Sequence, residues 1–167
     1  MSHFLHETLE QIARHIPDLP EVRLIVGDRE DAPDWRCSPG ERSPIAAAMR
    51  GGLAKPDIAQ YYPKGKALGH SPAVIWIRKQ LLASADAIES TRDGAESVKY
   101  EFLTTLIHEL AHHIDANNRG TEIDNTHDEI WAATYRGLIE KLREEGLIDE
   151  CLIGLVTRDC ERYTRST

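Results

Sequence analysis

Three residues in one short run, His108, Glu109 and His112, have the types and the spacing for hydrolytic metal chemistry. Four residues of an α-helix make a little more than one turn, so His108 and His112 project from one face. Their imidazoles can then meet on a single zinc ion at about 2.0–2.1 Å. Glu109 lies one step round the helix, beside the ion and not on it. There a carboxylate serves as general base for a zinc-activated water. The residues around the run, Phe102, Leu103, Leu106, Ile107, Leu110, Ala111 and Ile114, predict a packed core helix. Two imidazoles and a carboxylate are costly to bury on such a helix without a shared purpose.

A hydrolytic zinc takes three protein ligands and keeps one position for water. His127, fifteen residues after His112, is the best third ligand, returned to the ion by a helix–turn–helix with a loop from Asn118 to Thr126. Glu122, Asp124, Asp128 and Glu129 are rival carboxylates. Gly120-Thr121-Glu122-Ile123-Asp124 is close to the GTxD element of aspartate-ligated zinc peptidases, with its aspartate one residue late. Asp115, three residues after His112, is placed to accept an N–H from a ligand imidazole. Tyr135, eight residues after His127 on the face of Trp131, is placed to offer its hydroxyl to the reacting group. His113 points about 100° away from His112 and cannot share its ligand geometry.

These residues need elements to hold them. Phe4, Leu5, Leu9, Ile12 and Ile16 recur at helical spacing, closed by Pro17 and Pro20. Val22 to Val26 reads as a strand. Residues 28–72 hold six of the eight prolines and read as largely loop, with a short helix near Ile45 to Met49. The run Ala73, Val74, Ile75, Trp76, Ile77 reads as a second strand, followed by a helix over 79–89. The motif helix is expected from Gly94 to about Asn117, opened by a capping box of Asp93 and Glu96 and stopped at Gly120. Thr126 and Glu129 repeat that box for the next helix, which ends near Gly146. A last helix is expected from Ile148 to Cys160. The fold class is α+β: a mostly helical single domain over 1–167 with a small sheet. If Ala73 to Ile77 is an edge strand above the motif helix, a peptide can bind by adding a strand to it.

The run Leu106 to His112, a short polar loop, then His127-Asp128-Glu129-Ile130-Trp131, resembles the SprT-like (spartan-type) zinc metallopeptidases. The resemblance covers roughly residues 70–142. It implies a zincin-like fold, one zinc ion, and cleavage of peptide bonds in protein substrates. Members of that family often carry a cysteine zinc ribbon or a basic DNA-binding extension, and neither is found in these 167 residues.

Composition narrows the alternatives. Cys37, Cys151 and Cys160 are far apart and form no CxxC pair, which argues against a disulfide framework and points to a reducing compartment. No stretch approaches a membrane span, and Met1 to Ile16 lacks a signal peptide's apolar centre, so a cytoplasmic protein is expected. Residues 93–167 carry eight basic and sixteen acidic side chains, which accounts for the whole net charge of −8. Tight nucleic-acid binding needs the opposite sign and is not expected. The remaining readings are a zinc peptidase, a zinc-binding regulatory or interaction module with weak protease activity, and a DNA-associated repair protease. Oligomeric state is not legible.

Overall fold

The computed structural model describes residues 3–34, 58–79, 92–120 and 127–164, with the backbone alone for 92–97. The helix expected near 45–49 lies outside these residues, as does all but Lys79 of the one expected over 79–89. The described chain runs α1 (His3–His15), β1 (Val22–Gly27), a 3-10 turn at Arg29–Asp31, β2 (Ala59–Tyr62), β3 (Ala73–Arg78), α2 (Arg92–Arg119), α3 (Glu129–Glu144) and α4 (Glu150–Thr164). This is an α+β arrangement of four helices and a three-stranded sheet. Among the described residues no helix is long and apolar enough to cross a membrane.

The sheet has the order β1-β3-β2, with β1 parallel and β2 antiparallel to β3. Strand β3 is therefore central, and the expected edge strand at Ala73–Ile77 is corrected. All five side chains are at most 2 % exposed. Ala73, Ile75 and Ile77 enter the main core under the helices, whereas Val74 and Trp76 enter a smaller cluster on the other face with Tyr62, Ala67 and Ala32. A strand covered on both faces reads as an unbroken apolar run, which is what these residues spell. The sheet edge beside α2 belongs to β2, which lies within the stretch expected to be loop. With four residues before Pro63, it is too short to show a period.

Helices α2, α3 and α4 pack mutually, and α2 also lies against β2 and β3. Helix α2 starts at Arg92, two residues ahead of expectation, so Asp93 is inside it. It is followed by Gly120 at φ +99°, the left-handed stop its sequence foretold. Helix α3 is capped by Asp128 and not by Thr126: the Asp128 carboxylate accepts the Trp131 N–H at 2.9 Å. Helix α4 runs four residues beyond Cys160, and Asp149 accepts the Leu152 N–H at its start. Nothing in Glu161-Arg162-Tyr163-Thr164 breaks a helix. That extra turn matters for the site.

Candidate metal centre

Helix α2 carries His108 and His112 one turn apart, and His127 stands one residue before the cap of α3. Their Nε2 atoms form a triangle with sides of 3.0 Å (His127–His108), 3.1 Å (His112–His127) and 3.3 Å (His112–His108). Three nitrogens held tetrahedrally at 2.0–2.1 Å from a zinc ion would lie roughly 3.3–3.4 Å apart. The three histidines lie close enough to hold a metal ion, and the geometry fits with a small expansion of the triangle.

The hydrogen bond at the far side of His108 fixes which nitrogen faces inward. Its Nδ1–H donates to Asp159 Oδ2 at 2.8 Å, since a carboxylate only accepts. Nε2 is left facing inward, and in the neutral ring it carries the lone pair that a metal ligand requires. Tyr135 also donates to Asp159 Oδ2, at 3.1 Å. Burial, chiefly, holds His112 well below the usual imidazole range and pulls His127 down to about 4, with the neighbouring imidazoles adding to it. Both rings are therefore neutral near neutral pH.

Trp131 forms the platform under the triangle. Its ring stacks on His112 at 5.0 Å and meets His127 at 4.4 Å and His108 at 5.0 Å. It is fully buried. Removing the 150–250 Å² of such a ring from water contributes roughly 4–6 kcal/mol before entropy is charged, enough to anchor three imidazoles against it.

Glu109 points into the space beside the triangle. It is 8 % exposed and lines a groove of about 640 Å³. Burial pushes its carboxyl up to about 7, and the Asp159 charge adds to this, while His108 and a hydrogen bond from the Tyr61 backbone N–H pull it back. A carboxylate near 7 is poised to take and return protons. The groove runs between Ile58 and Ala59 on one side and Arg158, Arg162 and Tyr163 of α4 on the other.

Two expected contributors take other roles. Asp115 does not touch a ligand imidazole: both of its oxygens are held by Arg119, one turn further along α2. The planar guanidinium fork at i+4 is the better partner. Arg119 also reaches both oxygens of Asp128, at 2.7 and 3.1 Å, and so ties the end of α2 to the cap beside His127. This hydrogen bond first, then the Trp131 N–H, holds the Asp128 carboxyl below its usual range. Asp128 is thus a cap and an ion-pair partner. Glu129 is exposed in the first turn of α3, and Glu122 and Asp124 lie outside the described residues. Tyr135 reaches the site, but through Asp159, and its buried hydroxyl is pushed well above the usual phenol range.

No family model, curated protein or solved structure matches the chain.

The site is read from its own atoms. Sequence reasoning missed Asp159 and Tyr163, which come from α4, 51 and 55 residues after His108. Their own spacing, i and i+4 on a helix without a stop signal, was the available sign of a shared face. Tyr163 stacks on His127 at 4.2 Å and 29°. His113, by contrast, turns away from the triangle as expected. It is 1 % exposed; its Nε2–H donates to the Pro20 carbonyl at 2.8 Å, and its Nδ1 accepts from the Tyr61 hydroxyl at 3.2 Å.

Proposed function

We propose that this chain is a zinc-dependent peptidase of the SprT-like type, with His108, His112 and His127 as ligands and Glu109 as general base. The observation that carries the reading is the Nε2 triangle with a buried carboxylate beside it, opening on a groove bordered by a strand edge. Three imidazole nitrogens suit zinc better than magnesium or calcium, which prefer oxygen donors. A bound zinc ion supplies Lewis acidity, polarising a carbonyl oxygen and acidifying a water. The chain's own residues do the rest. Glu109 takes the proton released by the attacking water and returns it to the amide nitrogen as the C–N bond breaks. Asp159, braced by Tyr135, keeps His108 in the tautomer that binds metal. Strand β2 offers its outer edge at Ala59, which lines the groove, as the place where an extended substrate adds to the sheet, in the role first expected of Ala73 to Ile77. The peptide then runs past Glu109 along the groove.

Glu109→Gln separates an enzyme from a zinc-stabilised scaffold. It is expected to keep about one zinc per chain and an unchanged melting temperature. Casein cleavage should fall by roughly 10²–10⁴. Equal cleavage by the two proteins would remove Glu109 from the mechanism. A wild-type chain with no stoichiometric metal after zinc is supplied would end the reading.

A further inference from the structure

A peptidase needs a donor for the carbonyl oxygen that gains charge during attack, and Tyr135 cannot be it, because its hydroxyl is buried and donated to Asp159. A second tyrosine occupies the open side. Tyr163, in the last turn of α4, is 37 % exposed and lines the same groove as Glu109 and His108. Its ring lies on His127 and meets the edge of His108 at 5.0 Å. Its hydroxyl has no hydrogen-bond partner among the described residues. Tyr163 thus touches two of the three ligand rings and still has a donor to give.

We propose that Tyr163 is a catalytic residue whose phenolic O–H donates a hydrogen bond to the scissile amide oxygen as that oxygen becomes negative. The inference rests on the peptidase reading and names the residue it lacked. No bond to Tyr163 forms or breaks; the proton stays on the phenol. The neighbouring cations serve this role less well. Arg158 is an exposed, long side chain whose Nε is already donated to the Gly154 carbonyl at 3.1 Å, and Arg162 is equally exposed on the outer turn. Tyr163 is held by its stack on His127, so its ring is in place on the groove before substrate arrives, and a preorganised donor is the effective kind.

The test uses the zinc-loaded full chain. Tyr163→Phe keeps the ring and removes only the hydroxyl. It should retain zinc and KM on a quenched-fluorescence peptide while kcat falls roughly 10²-fold, the low end for a lost oxyanion donor. Affinity for a phosphinic Phe–Ala pseudopeptide, which mimics the charged tetrahedral state, should fall by a similar factor. Affinity for the uncharged ketomethylene analogue should not change. If Tyr163→Phe matches wild type in kcat and in phosphinate affinity, the proposal is overturned and the peptidase reading stands. If in addition Tyr163→Leu loses zinc, the ring is only a cover for His127. If wild type cleaves nothing, yet Tyr163→Phe still weakens the phosphinate, the peptidase reading fails and the hydroxyl's role as an anion donor survives.

Discussion

His112 and His113 are neighbours in sequence, and both are buried, yet the two faces of α2 put them to opposite uses. His112 presents Nε2 to two other imidazoles and, among the described residues, to no protein carbonyl or carboxylate. His113 is spent on structure: a donor to Pro20 on one nitrogen, an acceptor from Tyr61 on the other. A histidine satisfied by the fold stabilises; one whose inward nitrogen meets only other imidazoles is placed for a cation. The distinction lies in the partners and not in the burial.

The largest expected effect is on the first face. His112→Ala should lower metal affinity by more than 100-fold, beyond the roughly 10–100-fold typical of an outer-shell change. It should also lower the melting temperature of zinc-supplied protein, because ion-binding energy is partly folding energy. Competition against a chelator of known strength measures the first and thermal unfolding the second. Metal affinity unchanged in His112→Ala would break the comparison at its root.

Asp159→Asn probes the same face one bond further out. Zinc affinity should fall about 10–100-fold with the fold intact. An effect as large as that of losing a ligand would mean that Asp159 itself binds the ion.

On the second face, His113→Phe should leave zinc stoichiometry alone. It removes the hydrogen bonds that His113 makes to the Pro20 carbonyl and the Tyr61 hydroxyl and should cost about 1–3 kcal/mol in unfolding free energy. Tyr61 also holds Glu109 through its backbone N–H. A modest loss of rate is therefore expected alongside. Loss of zinc in this variant would show that the two faces are not independent.

The smallest effect is in the pH dependence of metal-free protein. His127 is lowered from 6.5 to about 4, so the unfolded chain takes its proton first and stability falls as pH drops through that window. Glu109 is raised from 4.5 to about 7, so here the folded chain takes the proton first and stability rises as pH drops from 7 to 4.5. The two oppose each other. Glu109→Gln removes the second and should make the chelated protein lose stability more steeply below pH 6.5 than wild type does. Identical slopes in urea unfolding at pH 5 and pH 7 would contradict this.

Much of the first face was legible in the sequence, because a helix converts spacing directly into proximity. His108, Glu109 and His112 needed only the 3.6-residue period, and His127 only a short return. Asp159 and Tyr163 were not legible, since their approach depends on how α4 packs across α2 and α3, which no local pattern encodes. Asp115 failed for a related reason: spacing placed it on the right face, but Arg119 competes for it more strongly. The strand Ala73 to Ile77 was found as a strand and misplaced within the sheet, although its unbroken apolar run was a sign of cover on both faces. Strand β2, which holds Glu109 from above, had too few residues to announce itself.

The Arg119 bridge gives the chain beside His127 a tie to the end of α2. One guanidinium joins the end of α2 to Asp128, so the third ligand's neighbour is held from the helix. Metal affinity is therefore open to a change outside the triangle: loosening Arg119 loosens the hold on the third ligand while every ligand stays in place.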